Sequence, residues 1–97
     1  MLISDFQSLI RVLYFKKDYE RGIRNTFIWL VEEIGELGRL LKKNKLEIKK
    51  ISDELADIIA WTNSIANLLD IDIEKALLKK YPNQCIKCGK NPCQCEN

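Results

Sequence analysis

The stretch TFIWLVEEIGELGRLL, residues 26–41, decides the fold. It reads as a helix built for a core, yet Glu32, Glu33 and Glu36 interrupt it. On a helical wheel of about 100° per residue, Trp29, Leu30, Leu37 and Leu40 all fall within about 60° of Glu33. Glu36 lies about 60° to one side, on the same face, and Glu32 about 100° round, at the polar edge. Glu33 therefore stands in the middle of an apolar stripe.

The pattern recurs. ISDELADI, residues 51–58, repeats LVEEIGEL, residues 30–37, at an offset of 21. Glu54 takes the place of Glu33, Asp57 that of Glu36 and Asp53 that of Glu32. Ile51, Ile58, Trp61 and Ile65 surround Glu54 on its own wheel. Two neighbouring helices thus aim Glu33, Glu36, Glu54 and Asp57 into the space between them. Asp53 and Glu32 sit at the edges, where a solvated surface acid is an equal reading.

No Lys or Arg lies inward near these acids on either stripe. At an effective dielectric near 20, each carboxylate pair about 5 Å apart costs on the order of 3 kcal/mol. A bound divalent cation is the expected remedy. The chain has no histidine. That argues against a di-iron bundle with its Glu-x-x-His motifs and against catalytic zinc. An all-carboxylate set suits Mg²⁺ or Mn²⁺, and Mg²⁺ held this way usually completes its shell with water and substrate phosphates.

The rest of the chain fits an all-α domain. Its 97 residues suffice for one domain, and a net charge of +2 recommends neither nucleic acid nor a membrane as partner. No apolar run reaches the roughly 18 residues of a membrane span. Asp5 sits where a signal peptide would be basic or apolar, so the expected compartment is the cytoplasm. Residues 4–17 show helical spacing through Phe6, Leu9, Ile10 and Leu13. DYERGIRN, residues 18–25, reads as a polar connector. A second helix runs from Asn25 or Thr26 to about Lys43, and a third from Ile51 to Leu69, with an earlier start open. KNKLEIKK, residues 43–50, reads as a charged turn. Its lysines, with Lys42, are either a solvated face or an attraction for a polyanion. Asp72 can cap a short fourth helix, which Pro82 stops.

If the second and third helices are antiparallel, Trp29 and Trp61 meet at one end of the acidic face. Core packing and nucleobase stacking are both open to them. Ile28, Val31 and Ile59 lie opposite the carboxylates, so these helices have apolar residues on two sides. A chain this short cannot easily cover both, which predicts a homodimer or homotetramer.

EEIGE, followed after 17 residues by ELAD, resembles the E-E-x-x-E … E-x-x-D signature of MazG-like nucleoside triphosphate pyrophosphohydrolases. WLVEEIGEL, DELADIIAW and ANLLDIDIEKALLKKYP extend the likeness over most of residues 26–82. The resemblance implies a four-helix MazG-like bundle completed by oligomerisation. It also implies Mg²⁺-dependent cleavage of the α–β phosphate bond of a nucleoside triphosphate, giving the monophosphate and pyrophosphate. Glu33, Glu36, Glu54 and Asp57 would be the metal ligands. Glu32 matches the first Glu of the signature and is the candidate to take a proton from the attacking water. Relatives acting on dCTP-like nucleotides carry Lys and Asn upstream of the Tyr-Pro, where this chain has Ile73 and Leu77. A phosphoribosyl-ATP pyrophosphatase-like enzyme and a non-enzymatic metal-binding interaction module are the alternatives.

Past Pro82 the composition changes. CIKCGKNPCQC carries Cys85, Cys88, Cys93 and Cys95. Cys-x-x-Cys-Gly resembles half of a zinc knuckle, but the second half is Cys-x-Cys. A Cys₄ zinc site, disulfides, free thiols and ligands shared between subunits are all open. The chain thus divides into a helical domain, residues 1–82, and a cysteine-rich tail, residues 83–97, expected to act as a structural staple.

Overall fold

The described residues form four helices: α1 (Ile3–Arg21), α2 (Ile23–Leu41), α3 (Ile48–Leu68) and α4 (Ile73–Lys80). They are seen in a computed structural model that describes residues 1–96; Asn97, the last residue of the predicted tail, lies outside them. Among the described residues there is no strand. No helix among them is long and apolar enough to cross a membrane.

The predicted connector over residues 18–25 is instead helix on both sides of a single corner residue. Gly22 has φ 87° and ψ 160°, a conformation that essentially only glycine adopts. The polar residues around it make the corner's hydrogen bonds. The Gly22 amide donates to Asp18 O at 2.9 Å. Thr26 Oγ1 donates to Gly22 O at 2.8 Å and Asn25 Nδ2 to Arg21 O at 3.1 Å. Arg21 forms an ion pair with Asp18 at 2.8 Å. Asp18 is 1% exposed and Thr26 fully covered, so two polar side chains at this corner are among the best buried in the molecule.

α3 is central. It packs along α2 on one side and α1 on the other, while α4 reaches chiefly α1. α3 begins at Ile48, three residues before the first predicted start. It ends in a left-handed cap: Asp70 has φ 55°, and the Ile71 amide donates to Ala66 O at 2.9 Å. The predicted cap of α4 is present, with Lys75 N donating to Asp72 Oδ1 at 3.0 Å. Gln7 ties the three helix ends together. Its Nε2 donates to Ile71 O at 2.7 Å and to Asn67 Oδ1 at 3.1 Å, and its Oε1 accepts from Ile73 N at 3.0 Å.

The helices do not close into a sealed bundle within one chain. Among the described residues, only Ile10, Leu40 and Ala66 are buried apolar ones. The radius of gyration is 16.1 Å, against about 12.5 Å for a compact domain of this length. The accessible surface is 7917 Å², about 2,200 Å² more than a compact monomer of this mass exposes. Phe27, Val31, Ile34 and Leu41 leave an exposed stripe along α2, and Ile48, Leu55 and Ile59 another along α3. Ile28, predicted to face away from the acids, is exposed as well.

Candidate metal centre

Antiparallel packing of α2 on α3 brings Glu33 opposite Glu54 and Asp57. One carboxylate oxygen from each lies within 4.8 Å of the other two. Two ligand oxygens on opposite sides of a Mg²⁺ ion are about 4.2 Å apart, so the spacing is close to what such an ion spans. Glu54 Oε2 is buried with no hydrogen-bond partner, an arrangement that costs about 1–3 kcal/mol or more unless a positive group approaches. Glu33 is raised from 4.5 to about 7, first by burial and then by sharing its environment with Glu54 and Asp57. Acceptors crowded without a donor fit a hard divalent cation.

Glu36, the fourth predicted ligand, stands apart from this trio. Its carboxylate pairs with Arg39, one turn along the same helix. The wheel missed this because it weighed only inward basic residues, whereas Arg39 is exposed and reaches back across an i, i+3 spacing that the sequence displays. Glu32 is exposed and lines, with Glu33, Gly35, Glu36 and Arg39, a surface hollow of about 510 Å³. Asp53 forms a surface pair with Lys49 at 3.5 Å.

Trp29 and Trp61 do meet, stacked with ring centroids 5.9 Å apart and planes inclined by 20°. The Arg21 guanidinium lies 4.7 Å from the Trp61 ring centroid. Trp61 is therefore engaged by two side chains, while Trp29 keeps half its surface exposed. Arg21 was not readable as a neighbour of Trp61, since the α1–α2 corner that delivers it was read as a connector. A second hollow of about 380 Å³ adjoins this end, with Asp18, Arg21, Asp57, Trp61 and Ser64 among its walls. Some of the lysines after α2 have acidic partners. Lys43 and Lys50 both bind Glu47, at 2.8 and 3.0 Å.

The four cysteine sulfurs also gather within 4.8 Å of one another. Backbone amides of Cys88 and Lys87 hold the Cys85 thiol down at about 6. Neighbouring sulfurs, Cys93 foremost, push Cys95 up to about 12. Four thiols this close cannot all ionise without a cation among them.

No curated protein sequence matches the chain. The family model described as the MazG nucleotide pyrophosphohydrolase domain matches residues 21–88, from the corner through both acidic motifs to the second cysteine. An acidic site shared by two antiparallel helices, inside a match spanning well over half of the sequence, leaves one assignment: the chain belongs to the MazG nucleotide pyrophosphohydrolase family.

Proposed function

We propose that the protein is a Mg²⁺-dependent nucleoside triphosphate pyrophosphohydrolase, with Mn²⁺ as a substitute, cleaving the α–β phosphate bond to give the monophosphate and pyrophosphate. The observation that carries this reading is the meeting of Glu33, Glu54 and Asp57 around the unpartnered Glu54 Oε2, within the family match.

Glu33, Glu54 and Asp57 would hold the metal. When bound, it would offset the charge of the triphosphate and make a water more acidic. Glu36 would join them by leaving Arg39, since an exposed ion pair is worth only about 0–1 kcal/mol and yields easily to a divalent cation. Arg39, once released, would face the phosphates at the mouth of the same hollow. Glu32, exposed on that rim, would accept the proton of the attacking water. Trp29 would offer its free surface to the base, with Trp61 held behind it by Arg21. The hollow beside Asp57 is in the size range of small-molecule sites, about 300–1,000 Å³. A nucleoside triphosphate is an intracellular substrate, which supports a cytoplasmic location.

We also propose that the protein is a homodimer or homotetramer. The exposed stripes on α2 and α3 and the excess of about 2,200 Å² over a compact monomer support this. A standard interface removes only about 800 Å² from each partner. Light scattering should give at least twice the 11.3 kDa of one chain.

The direct test is a panel of nucleotides with Mg²⁺ and product analysis. Pyrophosphate and a monophosphate are expected from at least one of them. Orthophosphate released from the terminal position would overturn the α–β assignment.

A further inference from the structure

We infer that Cys85, Cys88, Cys93 and Cys95 hold one zinc ion in an all-thiolate site that gives residues 83–96 their fold. This does not rest on the hydrolase reading, and the ion is distinct from the one assigned to the carboxylates.

The sulfurs have the spacing of a zinc site. Zinc bound to sulfur at about 2.3 Å sets the edges of its tetrahedron at about 3.8 Å. Cys85 Sγ and Cys95 Sγ lie 3.7 Å apart, and all four sulfurs lie within 4.8 Å of one another. All four cysteines are free.

The backbone turns tightly around the sulfurs. Gly89 N donates to Cys85 O at 2.7 Å and Cys85 N to Lys90 O at 2.8 Å, closing a tight turn. Gly89 sits at φ 70°, where a side chain would be strained, although a Cβ there would meet nothing nearer than 3.9 Å. The Gln94 amide donates to Cys88 Sγ at 3.4 Å and the Cys95 amide to Cys93 Sγ at 3.3 Å. Amides aimed at sulfur favour the thiolate, the form that binds metal.

This segment has no core of its own. No residue from 81 to 96 is buried, and the segment's one large aliphatic side chain, Ile86, is 65% exposed. A segment without a core needs a covalent or metal cross-link to hold one shape. Four soft thiolates select zinc over magnesium, and four protein ligands leave no open position for chemistry. The site is structural. The zinc–tetrathiolate unit would carry two negative charges, and Lys87 and Lys90 lie within the same loop.

The experiment uses the full chain, purified without chelator or metal-affinity tag. Zinc is measured by elemental analysis, thiols by a thiol reagent, and intact mass under non-reducing conditions. One zinc per chain is expected, with four thiols that stay unreactive until a strong chelator is added. Cobalt should replace it with the intense visible bands and sulfur-to-metal charge-transfer band of a tetrahedral thiolate site. Cys88→Ser and Cys95→Ser should each lose the zinc while circular dichroism keeps its helical signal. A zinc-free chain lighter by two hydrogens per disulfide would overturn the inference, as would four freely reactive thiols at saturating zinc. Zinc that persisted after all four cysteines were changed to serine would assign it to the carboxylates instead.

Discussion

The two ligand clusters of this chain are built on opposite plans. The acids come from two helices, Glu33 standing 21 residues before Glu54 and 24 before Asp57, and are brought together by helices that hold their shape through backbone hydrogen bonds and packing. The thiols fall within eleven residues and sit on a segment with no buried side chain. In the first, the scaffold forces like charges together and the ion relieves the cost. In the second, the ion would supply the order. One cluster strains a fold that exists without metal; the other has little fold apart from its cross-link.

The comparison breaks most visibly in activity. Glu54→Gln should reduce turnover by at least about a hundredfold, since even residues behind a metal's ligands cost about 10- to 100-fold, and helicity should be unchanged. Glu36→Gln should weaken Mg²⁺ binding less, because Glu36 stands outside the trio and exchanges one partner for another. Removing residues 83–97 should leave Mg²⁺-dependent hydrolysis measurable and lower the unfolding midpoint. Loss of all activity in a truncated chain that stays folded and oligomeric would tie the tail to the active site.

A change at the corner tests whether the body stands on its own geometry. Gly22→Ala should cost about 1–3 kcal/mol, because its φ of 87° and ψ of 160° suit no side chain. That is enough to lower the midpoint by about 4 °C or more. An unchanged midpoint would mean that α1 and α2 form no fixed corner.

The strain in the acidic cluster should be readable in pH. Glu33 binds its proton more tightly folded than unfolded, rising from 4.5 to about 7. Its contribution to metal-free stability is therefore full below pH 4.5 and is lost as pH climbs through 7. In chelator, the midpoint should fall over that window, and Mg²⁺ should restore more at pH 8 than at pH 5. Glu33→Gln should remove the slope and hold or raise metal-free stability while abolishing turnover.

The smallest effect belongs to the turn before α3. Lys43 and then Lys50 lower Glu47 to about 2, so that its contribution is present above pH 4.5 and lost as pH falls toward 2. The group is solvated, and Glu47→Gln should move the midpoint at pH 7 by less than about 4 °C. A larger loss would show that the turn holds α2 and α3 in register.

The all-α class, the meeting of Glu33, Glu54 and Asp57, that of the two tryptophans, the Asp72 cap and the close cysteines were legible because each follows from spacing. Helical periodicity decides which residues share a face, and two copies of one pattern in antiparallel neighbours must confront each other. Local sequence misread residues 18–25, since Asp18, Arg21 and Thr26 look solvated until the helices pack, and their hydrogen bonds, with that of the exposed Asn25, close the corner on Gly22. It placed Glu36 with the trio because a wheel records the direction of a side chain's first bond, whereas the charge at its end follows the nearest partner, here Arg39. Only the tertiary structure decided that Arg21 would lie over Trp61, that Glu54 Oε2 would be left without a partner, and that apolar stripes would remain bare on two helices. Those outcomes depend on how far the α1–α2 corner opens and on which faces α3 has left to cover, quantities set by packing at a distance and carried by no single stretch of the chain.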